Sequence, residues 1–121
     1  MPSLTGEKMF PSETVTVWHP TISYDERMDP VITWEPETVE GMLFDSPTTE
    51  DVDETMRAFG VRAAYRMHVP KTYTASLRGC KVTRARDGQD PPEYFVAGDP
   101  QALPWSPQPW NRAAIVGWVD G

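Results

Sequence analysis

Six short runs of β-branched and aromatic residues, each cut off by proline or glycine, divide this 121-residue chain. Proline cannot donate to a sheet ladder and glycine weakens a strand interior, so runs punctuated this closely make short strands joined by turns. The runs are Thr14–Trp18, stopped by His19 and Pro20; Thr38–Phe44, with Gly41 as a bulge candidate; and Ala63–Val69, ended by Pro70. Leu77–Arg86 follows, closed by the turn pair Asp87-Gly88, then Tyr94–Ala97, broken by Gly98, and finally Ala113–Val119. Ala63–Val69 alternates most cleanly: Ala63, Tyr65, Met67 and Val69 share one face, Ala64, Arg66 and His68 the other. Six such runs with at most one helix predict an all-β fold, a small antiparallel barrel or sandwich of about six strands, with the barrel preferred and a long, partly helical loop between the second and third strands. The length fits a single domain, expected over residues 13–121 after a flexible N-terminal segment 1–12.

Between the runs lie three longer stretches. Thr21–Pro36, with Asp25, Glu26, Asp29 and two prolines, reads as a long loop or projecting arm. Asp99–Arg112 is a proline-stiffened loop carrying Trp105 and Trp110. Thr49–Gly60 is either a short helix or a loop with residual helicity. The helical reading has Thr49 as N-cap, Glu50 and Asp51 at the positive end of the dipole, and Gly60 as C-cap. Val52, Met56 and Phe59 would then form one apolar face.

Charge is unevenly spread. Residues 1–60 hold 13 acidic and 3 basic side chains, residues 61–121 hold 5 and 8. A protein that grips nucleic acid by neutralising phosphates does not begin with a block of this sign. Two differently charged halves do suit head-to-tail contact between identical subunits. No apolar run approaches the roughly 20 residues that span a bilayer, no signal segment opens the chain, and one cysteine excludes an internal disulfide. No nucleophile elbow, phosphate loop or metal-ligand spacing is present, so neither an enzymatic activity nor a cofactor is expected. His19 and His68 read as solvated strand residues, and Cys80, in phase with Val82, as a small buried hydrophobe. Five tryptophans exceed what a small core buries easily, which points several of them at interfaces.

Met67-His-Val-Pro-Lys-Thr-Tyr-Thr-Ala-Ser-Leu-Arg-Gly-Cys80, then Tyr94-Phe-Val-Ala-Gly-Asp-Pro-Gln101, Pro109-Trp-Asn-Arg112 and Val119-Asp-Gly121 occur in order. Over residues 61–121 this arrangement resembles the head-to-tail stopper, or head closure, proteins of tailed bacteriophages, those of actinobacterial phages most closely. The resemblance implies a structural virion protein: a small β-barrel forming a ring of six copies in the neck, made in the cytoplasm of the bacterial host. Its implied partners are further copies of itself, the head-tail adaptor below the portal, the tail terminator, and packaged double-stranded DNA passing through the channel, with no membrane involved. The ring would close the DNA channel after packaging and reopen on ejection.

In the proteins it resembles, the closing element is the loop between the second and third strands, here Asp45–Arg62. Its Glu50, Asp51, Asp53 and Glu54 are the channel-gate candidates and Pro47 and Gly60 the hinges. Trp34, Trp105, Trp110 and Arg112 are the interface candidates. A tail-terminator or other neck-ring subunit is the nearest alternative, and a monomeric cellular β-barrel that binds peptides is an alternative of another class. The second of these would use Pro104–Trp110 as a proline-rich element.

Overall fold

Alternation gives each strand two faces, and six strands here curl until the inner faces enclose one another. In the computed structural model, which describes residues 12–119, the chain runs β1 (Glu13–Tyr24), β2 (Pro30–Asp45), a helix α1 (Thr49–Phe59) and β3 (Val61–Pro70). It continues through β4 (Lys81–Arg84), a short 3-10 turn at Ala85–Asp87, β5 (Tyr94–Val96) and β6 (Trp110–Val119). Every pairing is antiparallel, and the order around the closed barrel is β1-β2-β3-β6-β5-β4, with β4 returning to β1. Val15, Val17, Met42, Met67, Val82 and Val116 face inward and are buried, each stabilising the fold by roughly 1.5–3 kcal/mol. Of the expected N-terminal segment 1–12, only Ser12 lies among the described residues.

Gly41 is the bulge expected of it. Val15 stands opposite Val39 but Glu13 opposite Met42, so Glu40 and Gly41 together answer Thr14. Gly41 adopts φ +86°, a left-handed conformation that glycine tolerates best. The extra residue shifts parity and lets both Val39 and Met42 point into the core.

The stretch Thr21–Pro36 is not a loop, and His19-Pro20 does not end the first strand. β1 and β2 pair without interruption from Val15 and Val39 to Tyr24 and Pro30. Among the described residues, β1 beyond Trp18 pairs with β2 alone, and β2 meets β3 only from Leu43 onward. Residues 19–24 and 30–35 therefore stand out from the barrel as a two-stranded ribbon. Asp25 closes its tip, its Oδ1 accepting from the backbone N–H groups of Arg27 (2.8 Å) and Asp29 (2.9 Å). Pro20, Pro30 and Pro36 all fall on one alternate set of cross-strand pairs. Placed on pairs that exchange no backbone hydrogen bonds, they cost the ladder nothing.

The same parity sorts the ribbon's side chains. Trp18 faces Pro36, Pro20 faces Trp34, Ile22 faces Ile32 and Tyr24 faces Pro30, so one side is wholly apolar. His19 with Glu35, Thr21 with Thr33 and Ser23 with Val31 make the other side mainly polar. At the outer end of the apolar side Ile22, Tyr24 and Ile32 are more than half exposed.

The remaining differences are local. The fourth strand shrinks from Leu77–Arg86 to Lys81–Arg84, because Leu77 is buried in a turn where Gly79 takes φ +74° and Cys80 N–H bonds Leu77 C=O. The bulge between Ala63 and Tyr65 inserts Ala64 and takes Ala63 off the face it would share with Tyr65. Residues 49–59 are fully helical, but the N-cap is Thr48 rather than Thr49, and the buried residue is Thr55. Val52, Met56 and Phe59 remain 36%, 39% and 56% exposed, a stripe that the barrel leaves largely uncovered.

Candidate functional site

The segment expected to form the gate is short and anchored. Thr48 Oγ1 accepts from Asp51 N–H and Asp51 accepts from Thr48 N–H, a reciprocal capping box that satisfies two helix-end donors. Gly60, at φ +67°, ends α1 and donates its N–H to Met56 C=O. The helix packs on β3, where Asp51 lies 3.6 Å from Arg66, while the ring of Phe59 rests over Gly98. Of the two readings of this segment the helical one holds, and no slack chain connects Pro47 to Gly60. The helix also separates the four carboxylates, since Asp51 is engaged in the cap whereas Glu50, Asp53 and Glu54 are exposed.

The interface candidates divide similarly. Trp105 is 75% exposed on a stiff loop, with Leu103 N–H bonding Asn111 C=O and Ser106 N–H bonding Leu103 C=O. Trp34 lies on the ribbon's apolar side beneath Lys81, whose Nζ sits 4.2 Å from the ring centroid. Trp110 is half-buried and donates its indole N–H to Gly41 C=O (2.7 Å), which ties β6 to the bulge.

Arg112 is not a surface residue. It stands opposite Val69, points into the barrel and is 7% exposed, donating to the carbonyls of Ala75 and Tyr73 (2.8 Å each). Arg84 does the corresponding thing elsewhere: opposite Val15, it is buried against Phe44 and Tyr65 and forms a two-pronged pair with Glu13. Burial pulls the Arg112 pKa down, and the Glu13 pair pushes that of Arg84 up. Inward arginines on strands that read as alternating hydrophobics left no sign in the sequence.

Sequence reasoning also missed a polar network at the root of the ribbon, where His19 is half-buried rather than solvated. Tyr73 O–H donates to Glu37 Oε1 (2.8 Å), and His19 Nε2 lies 2.9 Å from the same oxygen. With Nε2–H donating there, Nδ1 is left to accept from the Cys80 thiol at 3.4 Å. The order Cys-His-Glu has the form of a nucleophile triad, but its sulfur faces the core. Cys80 is 1% exposed, and burial pushes its pKa up, opposite to the shift that activates a thiol. A thiol reagent should leave native Cys80 untouched and modify it on denaturation; prompt reaction in buffer would contradict this sealed geometry. His68 is likewise paired, 3.0 Å from Asp45 where β2 meets β3.

Two carboxylates set the acid response. Glu37 is held below the usual carboxylate range by Tyr73 and then His19, Asp51 by the Thr48 backbone N–H. Each binds its proton less readily folded than unfolded, so its stabilisation is present above the ordinary carboxylate pKa of about 4 and fades as pH falls through the lowered value. Thermal melts should drop on acidification below about pH 4, and the Glu37→Gln, Asp51→Asn double variant should flatten that slope. An unchanged slope would exclude both groups as its source.

No protein family matches the chain, and no curated protein does. Among solved structures, the fold is similar to that of protein SF1141 from Shigella flexneri 2a, determined in solution. The TM-score is 0.58, over 87% of this chain and 88% of that one, at 11% identity. At that identity the likeness concerns the fold: a small six-stranded antiparallel barrel with one helix.

Proposed function

We propose that this chain is a structural subunit of a tailed-phage neck, forming the ring that closes the DNA channel and joins the adaptor to the tail. The observation carrying the reading is the ribbon, because a free two-stranded element with one apolar side gains stability only by being covered. That feature belongs to a subunit of an assembly. The order of motifs over residues 61–121 supplies the address.

In this reading α1, not a hanging loop, is the element between the second and third strands that meets the channel. Glu50, Asp53 and Glu54 would present an exposed acidic wall to passing phosphate. Repulsion in a narrow lumen exceeds that in bulk water, though salt screens it over about 8–10 Å. Opening would then move α1 as a rigid piece about Pro47 and Gly60.

Assembled heads carrying Glu50→Gln, Asp53→Asn and Glu54→Gln together test this without disturbing the Asp51 cap. DNA ejection should slow while tails still join. A second particle, with residues 48–59 replaced by a short linker, should leak DNA. Normal retention and ejection in both would remove the gate from α1.

A further inference from the structure

We propose that the ribbon's apolar side seats in a groove on the wall of a second copy of this chain. The groove holds about 580 Å³ and is lined by Phe59, Val61, Phe95, Ala97 and Val119, with Arg78 and Asp99 also at its border. Phe59 and Val119, each more than half exposed, leave its apolar lining open to solvent. Ribbon and groove are thus two separate apolar surfaces of one chain, one convex and one concave.

Charge favours this occupant. The ribbon and its root carry Asp25, Glu26, Asp29, Glu35 and Glu37 against Arg27 alone, whereas all of the groove but Phe59 belongs to the half of the chain with 8 basic and 5 acidic residues; at the border itself Arg78 and Asp99 balance. Strand addition is disfavoured, since Pro20, Pro30 and Pro36 remove donors from the ribbon's edges and Glu35, Glu37 and Glu40 place charge along β2. Docking therefore uses the face.

Size separates ribbon-in-groove from ribbon-on-ribbon. Six residues per strand at about 3.3 Å each give a face roughly 20 Å long and 10 Å wide. That is far below the roughly 800 Å² per partner of a stable interface. Two ribbons face to face would bury too little, whereas a ribbon in a groove also brings the adjoining barrel walls together. Such a contact joins unlike surfaces, so it repeats from copy to copy and closes into a ring or extends as a filament. The inference rests on the assembly part of the function proposed above and is independent of the virion address.

Two full-length variants, Ile32→Cys and Val119→Cys, are mixed at high concentration under mild oxidation; buried Cys80 stays silent. The Ile32–Val119 mixed disulfide should exceed by about tenfold both the Ile32→Cys homodimer and the mixture of Arg86→Cys with Val119→Cys. In sedimentation, Ile32→Asp should weaken concentration-dependent association about tenfold or more while leaving barrel unfolding unchanged. A dominant Ile32→Cys homodimer, a mixed disulfide no more abundant than the Arg86→Cys control, or association untouched by Ile32→Asp would each overturn the proposal. A mixed disulfide from a chain absent from the neck would uphold the contact and remove the function; presence in the neck without the disulfide would do the reverse.

Discussion

Replacing Gly117 by alanine should strongly destabilise the barrel. A methyl group there would lie 1.9 Å from the Arg62 carbonyl oxygen, 2.7 Å from its carbon and 3.0 Å from Ala63 Cα. All three are backbone atoms, so no side chain can swing aside. Gly117 pairs with Ala63 on β3 and with Phe95 on β5, so moving away from one neighbour disturbs the other. Overpacking relieved by side chains costs about 1–3 kcal/mol, and a clash held on both sides by ladders should exceed that, at about 4 kcal/mol or more. Domains of this size have about 5–15 kcal/mol in total, so Gly117→Ala should lose roughly a quarter or more of its stability. Gly60→Ala is the control. Among the described residues, its chain neighbours and the helix backbone apart, nothing lies within 4 Å of its added carbon, and the left-handed φ of +67° should cost only about 1 kcal/mol. Urea titrations of the two variants giving equal losses would contradict the packing described at β3 and β6.

Arg84→Ala should follow in size. Its guanidinium satisfies Glu13 with two N–H groups and stacks 4.3 Å from the Phe44 centroid and 4.7 Å from that of Tyr65. Truncation leaves a largely buried carboxylate without its partner and two rings facing a void, a loss of about 3–5 kcal/mol. Removing the charge from both sides should behave differently. The pair Arg84→Met with Glu13→Leu keeps volume and strands no ion, so it should recover most of that loss. If the double variant unfolds as readily as Arg84→Ala, neither the unpaired carboxylate nor the lost volume is the cause, and this account of Arg84 fails.

Strand positions were legible because alternation and proline are local. Met67 and Val69, read as sharing one face, do point inward together, and Gly41 and Gly60 announced a bulge and a cap. The ribbon was legible as a projecting arm but not as paired strands, because stopping a strand at proline, as at Pro20, presumes neighbours on both sides. A ribbon beyond the last β4 contact has a neighbour on one side only. The inward arginines and the His19 network were illegible for another reason. His19 meets Cys80 across 61 positions and Tyr73 across 54, and Arg84 meets Glu13 across 71. Such contacts exist only once the barrel has closed. The helix was half legible: its caps are local, but that Thr55 rather than Val52 or Met56 is buried depends on how α1 meets β3.

A density map of intact particles at the neck tests the assembly account most directly. The account expects this barrel repeated as a ring between adaptor and tail, each ribbon lying against the next subunit with Ile22 and Ile32 covered and Glu50, Asp53 and Glu54 toward the channel. A chain found outside the neck, or a ring whose ribbons project bare into solvent, would contradict it.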